Sequence, residues 1–134
     1  MTRNAGNWYS WPAATAGGNH TEREDNEPNS ICPDGWQLIP NARIDPKSYY
    51  ALLVMTYESG NNDDKMRYQP LSFTRSGVYS RDSISARASS GRYWSSTMYY
   101  SGYAYYLDFS SSNLAFNGHD YGVVYGNSIR CVSR

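Results

Sequence analysis

The chain has 134 residues and 15.2 kDa, and its 12 Lys+Arg balance 12 Asp+Glu, so it carries no net formal charge. That length fits a single domain, residues 1–134. A neutral balance without a Lys/Arg cluster excludes a nucleic-acid groove, whose affinity comes from neutralising phosphates. No apolar run approaches the ~18 residues of a membrane span, and Met1 to Gly6 has no apolar h-region, so direct membrane insertion and a secretory signal in this chain are not expected.

Val, Ile, Leu and Phe together number only 19, whereas Tyr and Trp number 14 and 4. Such scarcity of aliphatics accompanies disorder only with high net charge and few aromatics, neither of which holds here. Tyr and Trp must therefore supply much of the core. Some Tyr must also lie outside it, because each buried phenol needs a hydrogen-bond partner.

In chain order, Pro12 and Ala13-Ala14-Thr15-Ala16 predict a short helix from about Pro12, ended by Gly17-Gly18. His20 to Ser30 is polar and reads as a surface loop, and Asn19-His20-Thr21 matches a glycosylation sequon. Trp36-Gln37-Leu38-Ile39 predicts a strand after the Pro33-Asp34-Gly35 turn. Asp45 and Pro46 open the clearest helical pattern, with Tyr49, Leu52, Leu53, Thr56 and Tyr57 on one face and an end near Ser59-Gly60. Leu71 to Thr74 reads as a short strand, and Ser76 to Gly91 as a weakly structured connection. Arg92 to Thr97, Tyr103 to Phe109 and Asn127 to Ser133 are strand-like, and Ser110 to Gly126 between the last two is a polar loop. Helices first and strands later predict an α+β fold with a small antiparallel sheet.

Cys32 and Cys131 are the only cysteines, 99 positions apart. Neither a C-x-x-C redox pair nor a four-ligand zinc set can be built from them with ordinary spacing. Two uses remain open: a long-range disulfide, which implies an oxidising compartment, or two small buried thiols.

Cys32-Pro33-Asp34-Gly35-Trp36-Gln37-Leu38, Tyr93-Trp94-Ser95-Ser96-Thr97, Ala104-Tyr105-Tyr106-Leu107-Asp108-Phe109 and Gly126-Asn127-Ser128-Ile129-Arg130-Cys131-Val132 follow one another in that order. In this order the chain resembles the Fibrobacter-type major paralogous domain and the C-type-lectin-fold variable proteins of diversity-generating retroelements. Tyr9-Ser10-Trp11 with Ala13-Ala14 is similar to that family's early helix region, so the resemblance covers nearly the whole chain. It implies a C-type-lectin-like fold with two helices packed on small antiparallel sheets and long loops. It also implies a Cys32–Cys131 bridge from the start of the domain to its last strand, and Trp94 in the core. The family's preceding Trp-Met and Asn-Leu segment has no counterpart in Met1 to Gly6, so the first strand is expected to be missing or replaced. The expected core is Trp36, Trp94, Leu107 and Phe109.

Of the 28 residues from Met98 to Tyr125, 19 are Tyr, Ser, Asn, Asp, Gly or His, and none is Lys, Arg, Glu, Gln or Pro. Tyr offers rigid contact area at low entropy cost, and Ser, Gly and Asn offer adaptable hydrogen bonds. This is the vocabulary of a recognition surface; the plainer reading is a Tyr-rich strand pair with polar turns. The resemblance implies a candidate variable region at about residues 93–125. Strand alternation sets Leu107 and Phe109 against Tyr106 and Asp108. The expected ligand-contacting positions are Tyr99, Tyr100, Ser101, Tyr103, Asp108, Ser110, Ser112, Asn117, His119, Asp120 and Tyr121.

Other chemistry finds little purchase in the sequence. Glu27-Pro28-Asn29 precedes the first cysteine, and Trp94-Ser95-Ser96 has none of the Asn and Asp oxygens that bind calcium in lectins. Asn61 to Asp64 reads as a solvated loop, so no metal or other cofactor is expected. His119 has no evident catalytic partner. Three functions stay in play: a variable receptor-recognition domain at an extracellular, cell or virion surface that takes a protein or glycan ligand; a fixed adhesin or carbohydrate-binding module; and a relative of formylglycine-generating enzymes, which needs a reactive thiol. A non-catalytic binder is the expectation.

Overall fold

The computed structural model describes residues 7–17, 28–41, 48, 73–80, 83–85, 89–100, 102–111, 114–118 and 122–133. Among them the architecture is mostly small antiparallel sheet. One helix, α1 (Trp11–Ala14), is followed by seven strands: β1 (Trp36–Leu38), β2 (Val78–Ser80), β3 (Ser83–Ser85), β4 (Ser90–Tyr100), β5 (Tyr103–Ser110), β6 (Leu114–Gly118) and β7 (Cys131–Ser133). β1 pairs with β7, β2 with β3, and β4-β5-β6 form a three-stranded sheet.

The short helix forms where the sequence places it. Ser10 caps it in the extended conformation, with Ala13 N donating to Ser10 Oγ at 3.3 Å, and Pro12 occupies the first turn. Ala16 and Gly17 then turn to positive φ, which ends the helix after one turn. Two helices packed on sheets are not what the described residues show. Of the helix expected from Asp45 to Ser59 only Ser48 is among them, buried and in no helix, and of the loop expected from His20 to Ser30 only residues 28–30 are.

β4 is the spine. β5 pairs with one edge, with Trp94 opposite Tyr106 and Tyr93 opposite Leu107. Its other edge is covered piecewise: Gly77 N donates to Ser90 O, Trp94 N to Ser128 O, and Ser96 N to Ile39 O. Asn127 and Ser128 thus serve as isolated bridges, to Tyr9 and Tyr93, and only Cys131–Ser133 of the expected last strand pairs as one.

Both faces of the β4–β5 pair are buried, and aromatic rings do most of the filling. On one face Trp94, Met98, Ala104 and Tyr106 pack with Trp11, Ala14 and Leu38. Trp94 and Tyr106 meet edge to face at 6.0 Å, and Trp11 Nε1 donates to Ser95 O at 2.9 Å. On the other face Phe73, Tyr93 and Phe109 form a ring cluster with centroids 4.9–6.0 Å apart, and Leu107 is fully buried. The Tyr93 hydroxyl is satisfied by Thr74, whose N donates to it at 3.0 Å. Gly91 lies against Phe109 and Thr74 O so closely that no Cβ fits there, and Gly118 lies equally close under Tyr106.

Several expectations need correction. Trp36 is not core but 46% exposed: its N donates to Pro33 O, so the strand starts on a surface turn and enters the interior only at Leu38. Tyr106 lies on the face opposite Leu107 and Phe109, as strand alternation sets it, but that face is buried as well and Tyr106 is 2% exposed. The 76–91 connection contains the β2–β3 hairpin, with Tyr79 opposite Ile84. The 110–126 loop contains β6, whose Ala115 pairs with Asp108. Phe73 and Thr74 belong to no strand; the ring cluster and the Tyr93 hydroxyl hold them.

Cys32 and Cys131 are joined by a disulfide. It sits beside the Leu38–Cys131 pair and binds the segment before β1 to the last strand. Closing a loop of this length can stabilise the fold by about 4 kcal/mol on the chain-entropy argument. A disulfide is compatible with an extracellular protein. Among the described residues no helix is long and apolar enough to cross a membrane.

Candidate functional site

The candidate site is the tip of the β4–β5 hairpin. β4 reaches it through two irregularities in register, between Trp94 and Met98 and between Met98 and Tyr100. Such bulges bend a strand and re-aim its end. The Ser95-Ser96-Thr97 run that makes the first one supplies its own hydrogen bonds. Ser95 Oγ donates to Tyr105 O at 2.9 Å, and Thr97 Oγ1 accepts from Asn41 N at 2.8 Å. These hydroxyls are buried scaffold rather than surface.

Beyond the bulges, Tyr100 stands directly opposite Tyr103, and the two are 62% and 42% exposed. Gly102 turns the chain at φ +84, a conformation that costs glycine little. Val123 N donates to Gly102 O at 3.0 Å, and Tyr103 bridges Gly122, so the 122–125 turn braces the tip. Trp11 N in turn donates to Val123 O at 2.8 Å, which ties the brace to α1 and the core. Val124 projects from it at 79% exposure. Tyr99 lies behind, edge-on to Tyr105 at 5.2 Å.

The expected contact residues therefore separate. Tyr99, Tyr100 and Tyr103 come together at the tip. Asp108 and Ser110 lie toward the far end of β5, with Asp108 about 16 Å from Tyr103 at ~3.3 Å per residue. Asp108 is half-buried and its carboxylate stands 3.7 Å from Arg92 Nε, while the Arg92 guanidinium lies over the Tyr106 ring at 5.4 Å. This places Asp108 in an ion pair across the β4–β5 ladder rather than on an open surface. Asn117 belongs to β6. Ser101, Ser112, His119, Asp120 and Tyr121 lie outside the described residues.

Sequence reasoning missed Val124 and the bracing turn. The available signal was Gly122-Val123-Val124, an adjacent β-branched pair inside an otherwise polar stretch. Chemically, the tip offers ring faces, phenol hydroxyls and a methyl surface, with no Asp, Glu, Lys, Arg or His from Met98 to Leu107 or from Gly122 to Ile129. Among the described residues no group of three or more His, Cys, Asp and Glu stands together as a metal site would require. No family model, no curated protein and no solved structure matches the chain.

Proposed function

We propose that this chain is a non-catalytic recognition domain of C-type-lectin-like fold that binds a receptor at a cell or virion surface through its Tyr-rich C-terminal third. It acts as a variable protein diversified by a retroelement, with the fold held constant while surface residues change. The observation that carries this reading is the tip itself. Tyr100 and Tyr103 stand exposed and opposite one another on a hairpin whose interior is fully packed. Large, rigid, amphipathic side chains on a braced turn are what a recognition surface needs, because little entropy is left to lose on binding.

Other features support it. The small antiparallel sheets and the bridge from before β1 to the last strand suit the proposed fold. Both cysteines are consumed in that bridge, which supports a binding role over thiol-dependent chemistry. The Tyr, Ser and Asn residues of the 93–125 stretch are also types reached readily by changing the adenines of an Asn codon.

The test is deep sequencing of codons 93–134 across a population, with the flanking DNA. Substitutions confined to surface positions such as Tyr99, Tyr100 and Tyr103, beside a near-copy template differing at adenines, are the expected result. An invariant segment without a template would refute diversification and leave a fixed adhesin. A reactive thiol in the native chain would refute the non-catalytic reading.

A further inference from the structure

We propose that the Cys32–Cys131 bridge is a reducible switch, opened by a dithiol, that controls the brace beneath the β4–β5 tip. The proposal rests on the recognition reading above and names a regulation of that same surface.

Three observations lead there. The first is access. Cys32 lies in a surface turn, with Ile31, Pro33, Asp34, Gly35 and Trp36 all exposed around it, and both cysteines are half-buried rather than enclosed. A disulfide yields to a thiolate that can reach it. One thiolate of a dithiol attacks one sulfur, forms a mixed disulfide and releases the other cysteine. The second thiol then closes the reagent's own disulfide and releases the remaining cysteine. Two electrons and two protons pass from the dithiol to the bridge, which ends as two thiols.

The second is continuity. Ile31, next to Cys32, donates from its backbone N to Ala14 O at 3.1 Å, which ties the segment carrying the bridge to α1. At the other end of α1, Trp11 N donates to Val123 O at 2.8 Å, and Val123 N donates to Gly102 O at 3.0 Å. Packing follows the same route: Cys32 and Val123 both lie against the cluster that holds Trp11, Ala14 and Leu38. Bridge and tip are therefore joined through α1 by hydrogen bonds and by contact. A helix of one turn has little stability of its own, so α1 keeps its shape through these partners.

The third is a contrast in size. The β1–β7 ribbon beside the bridge has three register pairs, Trp36 with Ser133, Gln37 with Val132 and Leu38 with Cys131. β4 and β5 pair from Ser90 and Ser110 to Tyr100 and Tyr103, with Trp94, Tyr106, Leu107 and Phe109 buried between them and their neighbours. Proteins open first through their small, weakly held units, so reduction frees the ribbon and α1 while the sheet persists. Gly102 and Val123 then gain freedom that a ligand must remove on binding, and recognition weakens.

The experiment follows amide hydrogen exchange in the full chain, oxidised and after reduction with dithiothreitol. The amides of Ile31, Trp11 and Val123 should exchange at least about tenfold faster on reduction. Gly77, whose N donates to Ser90 O at the end of β4 away from the tip, should change by less than about twofold. Cys32→Ser with Cys131→Ser should reproduce the reduced pattern without the reagent. Ile31→Pro removes the donor to Ala14 O and keeps both cysteines, and should speed Trp11 and Val123 in the oxidised chain. Acceleration of Gly77 equal to that of Val123, as global unfolding gives, overturns the proposal. So does a Val123 amide unmoved by reduction or by Ile31→Pro. Attachment to cells that the wild-type chain binds is then scored for the oxidised chain, the reduced chain, Tyr100→Ala and Tyr103→Ala. Reduction should weaken attachment by about fivefold or more. Attachment that needs the tyrosines but ignores reduction overturns the switch and leaves the recognition surface standing. Faster exchange at Val123 on reduction, with attachment indifferent both to reduction and to the tyrosines, overturns recognition at the tip and leaves the bridge in control of the brace.

Discussion

Tyr103 and Tyr106 are three residues apart on β5, yet one is 42% exposed at a hairpin tip and the other is 2% exposed beneath Trp94. Tyr93 and Tyr100 repeat the contrast on β4. Residue type therefore says nothing about role here. At the packed end of the hairpin, Tyr replaces scarce aliphatics. Its ring adds buried area, and its hydroxyl must find a partner, as Tyr93 does at Thr74. At the tip the same side chain is left exposed. The chain meets both demands with one residue, and the bulges between Trp94 and Tyr100 mark the border between them.

That contrast can be broken experimentally. Trp94→Ala and Tyr106→Ala should each cost about 3–5 kcal/mol in a denaturant-unfolding experiment, the range for emptying a buried aromatic site. A value under about 1 kcal/mol for either would place that ring outside the core. Replacing Cys32 and Cys131 by Ser should cost about 2–4 kcal/mol, read as the difference between unfolding curves of the variant and the oxidised chain. Tyr93→Phe keeps the ring cluster but leaves Thr74 N without its phenol acceptor, and should cost about 1–2 kcal/mol. Asp108→Asn removes a half-buried ion pair and should cost about 0.5–1 kcal/mol, less at high salt. Tyr100→Ala and Tyr103→Ala should change stability by no more than about 0.5 kcal/mol. A large loss at either would move the tip into the core and remove the exposed surface that the proposed recognition requires.

Much of the frame was legible in the sequence because it rests on local chemistry. Pro12 starts and the glycine ends a one-turn helix by first-turn preference and backbone freedom alone. The Pro33-Asp34-Gly35 turn starts β1, with Gly35 at φ +83, and the β-branched and aromatic runs at 92–97 and 103–109 became β4 and β5. The tip was legible in part: Tyr99, Tyr100 and Tyr103 share it because a tight turn brings near neighbours together. The Asp108–Arg92 ion pair was not legible because Arg92 is remote in sequence and reaches Asp108 only through strand register. The β2–β3 hairpin was missed because Ser-rich strands with one exposed apolar pair show no hydrophobic alternation over so few residues.

By itself, then, the amino-acid sequence determined what depends on a few adjacent residues: the short helix, the turns, the strand-forming runs, the neutral charge and the Tyr-rich supply of side chains. Tertiary structure alone decided which tyrosines became core, since burial on both faces of the β4–β5 pair erases the two-residue period that separates inside from outside. It also decided that Trp36 stays near the surface while Leu38 goes in, and that the two cysteines meet. Each of those outcomes is a distance between segments far apart in the chain, which no local preference encodes.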